Sequence, residues 1–213
     1  IFVMTEYRAL HQDIRPLKVL ILNLMPTKIV TETQILRKLS NTPLQVQVEL
    51  LRTSSYRSQH IDEDHLESFY TTFDQVRGRK YDGMIITGAP VENLDFTDVD
   101  YWDEFKTILD WASTHVFSTI YLCWGAMGAL YYRYGIHKVD YPEKIFGVFP
   151  QYLQDEYCFL TNGFDEIDLQ PHSRLAGVNE NEVRANHDLQ ILTWGPQSGP
   201  GLIATRDFSE VFA

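Results

Sequence analysis

A cysteine thiolate is the strongest nucleophile among ordinary side chains, and Cys123 stands where one could be used. Ile120, Tyr121 and Leu122 form a short apolar run, and Gly125 to Tyr134 recurs at helical spacing, so Cys123 falls in the tight turn from a buried strand to a helix. Such a turn is a nucleophile elbow: it lifts the side chain off the end of a sheet and aims the first helix amides at it. Those amides and the helix dipole would stabilise a thiolate and, later, an oxyanion. Gly125 suits a backbone that passes close to a neighbouring strand or a substrate. The plainer reading is a buried cysteine that serves as a small hydrophobe. An elbow usually has glycine two residues before the nucleophile, and here that residue is Tyr121.

A cysteine nucleophile needs a base, an orienting acid and oxyanion donors. Of the seven histidines, His11, His60, His65, His115 and His137 read as solvent-facing, while His172 and His187 follow loops near strand ends and are the better bases. The Trp124 amide is one oxyanion donor, and the Gly88-Ala89 turn is a source for a second, unless Thr87 to Pro90 is a plain turn. Metal binding is not indicated, because no His, Cys or Asp cluster shows ligand spacing.

The elements that must position these residues alternate. Leu17 to Leu24 is a near-continuous aliphatic run, a strand buried on both faces as in parallel sheets. Thr31 to Leu39 follows as a helix with Ile35, Leu36 and Leu39 on one side, then Val46 to Leu51 as a strand, and a polar loop from Ser54 to His65. A helix over about 64–73, Tyr81 to Pro90 as a strand running into a glycine-bearing turn, and an amphipathic helix over 100–112 precede the Cys123 strand. This β-α-β-α-β order implies a parallel sheet flanked by helices, with ligands at the carboxyl ends of its strands. Three turns, Asn23 to Lys28, Thr87 to Asn93 and Cys123 to Gly125, converge there by that rule, and Lys28 is a candidate to face the site. Beyond Gly135 the pattern changes to shorter strands at Phe146 to Phe149, Tyr157 to Leu160, Leu189 to Trp194, Leu202 to Thr205 and Glu210 to Ala213.

The 213 residues suffice for one sizeable core, so a single domain over 1–213 is the default, with 1–16 a lead that packs on it or on a partner. A net charge of −11 without a basic run argues against nucleic acid or an anionic membrane, and no apolar stretch is long enough to span a bilayer. Two cysteines in unlike contexts suggest a reducing compartment, hence cytoplasm. Ile1 is not an initiator methionine and no signal-peptide layout follows, which suggests a piece of a longer protein.

Five motifs in order, Leu22-Asn-Leu-Met-Pro26, Ile86-Thr-Gly-Ala-Pro90, Cys123-Trp-Gly-Ala126, Glu143-Lys-Ile-Phe-Gly-Val148 and Pro171-His-Ser-Arg174, resemble the homoserine O-acyltransferase family along the whole chain. The resemblance implies a flavodoxin-like, class I glutamine amidotransferase-like α/β fold with a mostly parallel sheet, and a homodimer. It implies a cysteine that takes an acyl group from acyl-CoA as a thioester and passes it to the homoserine hydroxyl, with no cofactor besides that substrate. Cys123 matches the nucleophile, Trp124 an oxyanion amide, and Lys144 and Ser173 substrate-binding positions. Arg174 suits the acceptor carboxylate or a CoA phosphate, unless it pairs with one of the many acids. Glu92 matches the position that goes with acetyl-CoA, where glycine goes with succinyl-CoA, because a carboxylate beside the acyl pocket repels a succinyl carboxylate; composition alone makes Glu92 a loop acid. The family's Gly-His-x-Glu-Tyr motif, with base and acid, would follow Ala213, so this polypeptide alone is expected to be inactive.

Within the fold, serine is a rival acceptor, since one methylene is worth roughly 1–3 kcal/mol of discrimination. Glutamine hydrolysis by the same elbow, and a non-catalytic interaction module, are the readings from other classes. Ammonia release tests the first, and iodoacetamide reactivity of Cys123 against Cys158 tests the second.

Overall fold

The computed structural model describes residues 13–54, 63–155 and 157–213. His11, His60, most of the expected 54–65 loop and nearly all of the N-terminal lead lie outside them. The chain divides into two compact units, 1–90 with 97–119, and 91–96 with 120–213.

In the first unit, β1 (Leu17–Leu22) is paired in parallel with β2 (Val46–Leu51) on one side and β4 (Tyr81–Ile86) on the other, and β2 with the short β3 (Tyr70–Thr71). Leu20, Ile21 and Leu22 have no exposed surface, which is what a parallel strand covered on both faces requires. Helices α1 (Lys28–Leu39), α2 (Glu63–Phe69), α3 (Phe73–Val76) and α4 (Trp102–His115) make the connections. The expected 64–73 helix is thus broken by β3, where Tyr70 turns inward and is buried. α1 also departs from its apolar pattern. Ile29 and Val30 are exposed, and its buried positions are Lys28 and Glu32.

β5 (Val116–Tyr121) starts in the first unit and ends in the second, where α5 (Trp124–Tyr134) follows at once. Gly135 ends α5 in the left-handed conformation (φ 68°), and its amide and that of Ile136 return to the last carbonyls of the helix. The rest of this unit is antiparallel: β6 (Lys138–Leu153), β7 (Ile167–Val178), β8 (Leu189–Gly195), β9 (Gly199–Thr205) and β10 (Glu210–Phe212) stand in the order β10-β9-β8-β6-β7, with a short α6 (Glu180–Ala185) before β8.

Two expectations for this half are corrected. The strand at Phe146 to Phe149 is one stretch of a 16-residue β6 paired with a 12-residue β7. Tyr157 to Leu160 is no strand: residues Phe159–Thr161 form a 3₁₀ turn, and Cys158 turns inward against Leu192 and Ala204. The fold class stands, with α/β layering, parallel strands at the front of the chain and antiparallel ones behind.

Candidate active site

Cys123 has φ 52° and ψ −118°. Among the described residues only Phe208 shares a positive φ without being glycine. An L side chain is strained there and stays only where its surroundings dictate the backbone. Here they do: the Cys123 amide donates to the Ala213 carbonyl at 2.7 Å, the Ala213 amide to Tyr121 at 2.9 Å, and the Cys123 carbonyl accepts from Ala126 and Met127. The thiol is thereby exposed at the start of α5, and the Trp124 amide donates to its sulfur. The next amide, of Gly125, is taken by the Leu122 carbonyl at 3.0 Å, so the elbow aims one helix amide at the sulfur rather than several.

Atoms crowded around the sulfur raise the Cys123 thiol above its ordinary pKa; the Trp124 amide and the Arg174 charge pull it down, and the Glu92 carboxylate raises it further. The Trp124 amide and the Arg174 guanidinium favour the thiolate, while crowding and the Glu92 carboxylate oppose it. As a nucleophile Cys123 needs a base to take its proton.

Cys123 opens onto a pocket of about 60 Å³ whose wall includes Met127, Arg174, Gly177, Ile203 and Ala213. Wider, shallower depressions of about 470 and 620 Å³ lie in the first unit and hold no such nucleophile. Arg174 reaches this pocket from β7. Its guanidinium donates to the Ser198 carbonyl and lies 6.0 Å from the Tyr141 ring, which packs over Gly177 so closely that a Cβ there would clash. Ser198 is fixed in turn by the buried Gln151 at 2.7 Å.

Ser173, opposite Phe146 in the β6–β7 register, is exposed, and strand alternation turns it to the face away from Arg174. Lys144 sits where that register slips, its ammonium 5.6 Å from the Phe146 ring. Neither lines the Cys123 pocket. Glu92 does come near, in the turn 91–96, close enough for its charge to act on Cys123.

Lys28, Gly88 and Ala89 belong to the first unit. The Gly88 carbonyl accepts from Thr87 Oγ1, and Gly88 does not use a left-handed φ. Lys28 is buried, donates to the Asn23 carbonyl at 2.6 Å, and has its pKa lowered to about 8 by that burial, with Glu32 raising and Arg52 lowering it. Glu32 accepts from Tyr70 and touches His65 at 3.3 Å; Asn23 donates to the Tyr70 hydroxyl at 2.8 Å. His65 is therefore half-buried, not solvent-facing, as is His115 against Trp111.

Among the described residues no histidine is hydrogen-bonded to Cys123. His172 is mid-strand in β7, opposite Gly147, rather than after a loop; burial and then the Arg174 charge lower its pKa. His187 is exposed and lends its carbonyl to Arg206. No group of three or more His, Cys, Asp or Glu among the described residues could hold a metal, and no helix there is long and apolar enough to cross a membrane.

Sequence reasoning missed the support behind the elbow. Glu210, 7% exposed, accepts from Tyr121 at 2.5 Å and Tyr134 at 2.6 Å and pairs with Arg133 at 2.9 Å. Tyr121 also stacks on Phe212 at 4.9 Å. The tyrosine that replaces the usual elbow glycine is thus a buried strut between β5 and β10. Its one visible signal was that departure from glycine.

A strained cysteine between a strand and a helix, in an α/β protein with this strand arrangement, defines the class I glutamine amidotransferase-like fold. Solved structures agree on the fold: a putative GMP synthase component from Thermoplasma acidophilum superposes with TM-score 0.62 at 12% identity, over 93% of this chain and 83% of its own. A glutamine amidotransferase from Thermotoga maritima does so with 0.60 at 10% identity, over 93% and 74%.

The chain belongs to the homoserine O-succinyltransferase family, whose model matches residues 1–213. It is 68% identical over all 213 residues to a homoserine O-acetyltransferase of Bifidobacterium adolescentis, spanning 62% of that protein. It is 51% identical over its full length to one of Streptococcus pneumoniae, spanning 68%.

Proposed function

We propose that the full-length protein is a homoserine O-acetyltransferase of methionine biosynthesis, a cytoplasmic homodimer, and that Cys123 carries the acetyl group. The observation that bears most weight is the strained Cys123, with the Trp124 amide on its sulfur and the Arg174 pocket before it. The names of the relatives at 68% and 51% identity support the reaction class.

In the first half-reaction the Cys123 sulfur attacks the acetyl carbonyl carbon and gives its proton to a base. The Trp124 amide holds the oxyanion. When the intermediate collapses, the carbon–sulfur bond to CoA breaks and CoA leaves as a thiol, taking that proton. In the second half the homoserine hydroxyl loses its proton to the base and attacks the thioester, and the Cys123 thiol is regenerated with the ester. Arg174 holds the acceptor carboxylate, and Lys144 and Ser173, outside the Cys123 pocket, contact parts of the substrates that extend beyond it. The base and its acid are those of the Gly-His-x-Glu-Tyr motif that the family resemblance implies.

Glu92 selects acetyl over succinyl. Its charge already acts on Cys123, and a succinyl carboxylate in the same place meets like charge.

Intact mass of the full-length protein after acetyl-CoA tests the reading: one acetyl group appears on the wild type and none on Cys123→Ser. Retention of turnover by Cys123→Ser would overturn it. Glu92→Gly should gain succinyl-CoA turnover, and equal use of both donors by the wild type would sink the donor assignment. Turnover by residues 1–213 alone would move the base to His172 or His187. Mass spectrometry of the product separates O-acetylhomoserine from O-acetylserine.

A further inference from the structure

The turn that carries Glu92 is not held by its own sequence alone. Within it the Leu94 amide donates to the Val91 carbonyl at 3.0 Å. Beyond it, Phe96 is buried, stacked on Tyr131 at 4.9 Å and 6.0 Å from the Trp124 ring, so that end is fixed to α5. The Glu92 end is fixed by a lysine from another element. Lys138, the first residue of β6, has a side chain 10% exposed, and its ammonium donates to the Glu92 carbonyl at 2.7 Å and the Leu94 carbonyl at 3.2 Å while pairing with Asp140 at 3.3 Å. In the register Lys138 stands opposite Val178, which lines the Cys123 pocket, so it joins the pocket wall to the turn.

We propose that Lys138 is a positioning residue for acyl-donor choice: by clamping two carbonyls of the 91–96 turn it keeps the Glu92 carboxylate beside Cys123. This rests on the reading of Glu92 given above. An ammonium between two carbonyls is a strong, charge-assisted clamp, and losing it frees the backbone that aims the carboxylate. The sign of the effect separates this role from a plain charge effect. Lys138 is a cation near the acyl pocket, so through charge alone its removal would repel a succinyl carboxylate more. Release of Glu92 does the opposite and lets succinyl in.

The test measures kcat/KM of the full-length protein for acetyl-CoA and succinyl-CoA. Lys138→Met should move the donor ratio toward succinyl by roughly three- to tenfold, the scale of coupling between residues in contact. Lys138→Arg, which still donates to carbonyls, should stay nearer the wild type. In a Glu92→Gly background Lys138→Met should leave the ratio unchanged, because the group it positions is gone. If Glu92→Gly shifts the ratio but Lys138→Met leaves it unmoved or shifts it toward acetyl, the clamp is refuted and the Glu92 reading survives. If Glu92→Gly leaves the ratio unmoved, the Glu92 reading fails and takes the clamp with it. Should Lys138→Met fail to fold, Lys138→Ala, which also removes the donor, takes its place: a shift toward succinyl supports the clamp, and an unmoved ratio or a shift toward acetyl refutes it.

Discussion

Among the described residues each unit buries one glutamate against tyrosine hydroxyl groups, and the two knots differ in the cation beside them. In the first, Glu32 takes the Tyr70 hydroxyl and touches His65, with Lys28 close enough to feel its charge and 5.3 Å from the Tyr70 ring. In the second, Glu210 takes Tyr121 and Tyr134 and is paired directly with Arg133. A lysine can shed its proton when burial becomes costly, and Lys28 is already lowered to about 8. An arginine keeps its charge at any pH a protein survives. The knot behind the elbow is therefore fixed in charge, and the knot at the end of β1 can titrate.

Removing each carboxylate should show the difference most strongly. Glu210→Ala takes away an ion-pair partner of Arg133, whose charge cannot be neutralised, and should destabilise by about 3–5 kcal/mol. Glu32→Ala lets Lys28 deprotonate instead and should cost less, about 1–3 kcal/mol. Urea unfolding of both variants at pH 7 and pH 9 checks this. The Glu210→Ala cost should be the same at the two pH values, since Arg133 keeps its charge and burial holds the Tyr121 and Tyr134 phenols protonated at both. A larger loss from Glu32→Ala would reverse the comparison.

Next in size is the pH dependence owed to Lys28. Its folded pKa of about 8 lies below the ordinary 10.5, so between those values the unfolded chain binds the extra proton and stability rises with pH. The stability difference between wild type and Lys28→Met should therefore move in favour of wild type from pH 8 to pH 10, by about 2 kcal/mol at roughly 1.4 kcal/mol per pKa unit. A flat difference would mean that Lys28 is not desolvated.

The same contrast shows what the sequence makes legible. β1 is buried on both faces, so Leu20, Ile21 and Leu22 announce it without a break, and the abrupt change from Leu122 to Gly125 announces the elbow. The β6–β7 pair was not legible at its true length: Pro142, Pro150 and Pro171 interrupt it, and Phe146, Val148 and Leu169 are exposed, so neither alternation nor a continuous run survives. The knots were hidden for another reason. Lys28, Glu32 and Glu210 are residue types that pattern reading assigns to solvent, and only a folded partner reveals their burial. Cys123 was found from local order, but the guanidinium facing it comes from Arg174, 51 positions away, which no spacing rule connects. Motif resemblance supplied Arg174 and Glu92; the Lys138 clamp had no sequence signal at all.

The smallest effects come from the tyrosine hydroxyls, and they rank opposite to the carboxylates. Tyr121→Phe removes one donor from Glu210, which keeps Tyr134 and Arg133. Tyr70→Phe removes the bond to Glu32 and also the acceptor of Asn23 Nδ2, leaving an amide that is 1% exposed with only a 3.3 Å contact to the Lys28 carbonyl. Tyr70→Phe should cost about 2 kcal/mol and Tyr121→Phe about 1 kcal/mol, read from urea midpoints at pH 7. If Tyr121→Phe costs more, then Tyr121, not Arg133, is the main support of Glu210. The strained Cys123 two residues later should then also relax, seen as a changed pH midpoint for its alkylation by iodoacetamide while buried Cys158 stays unreactive.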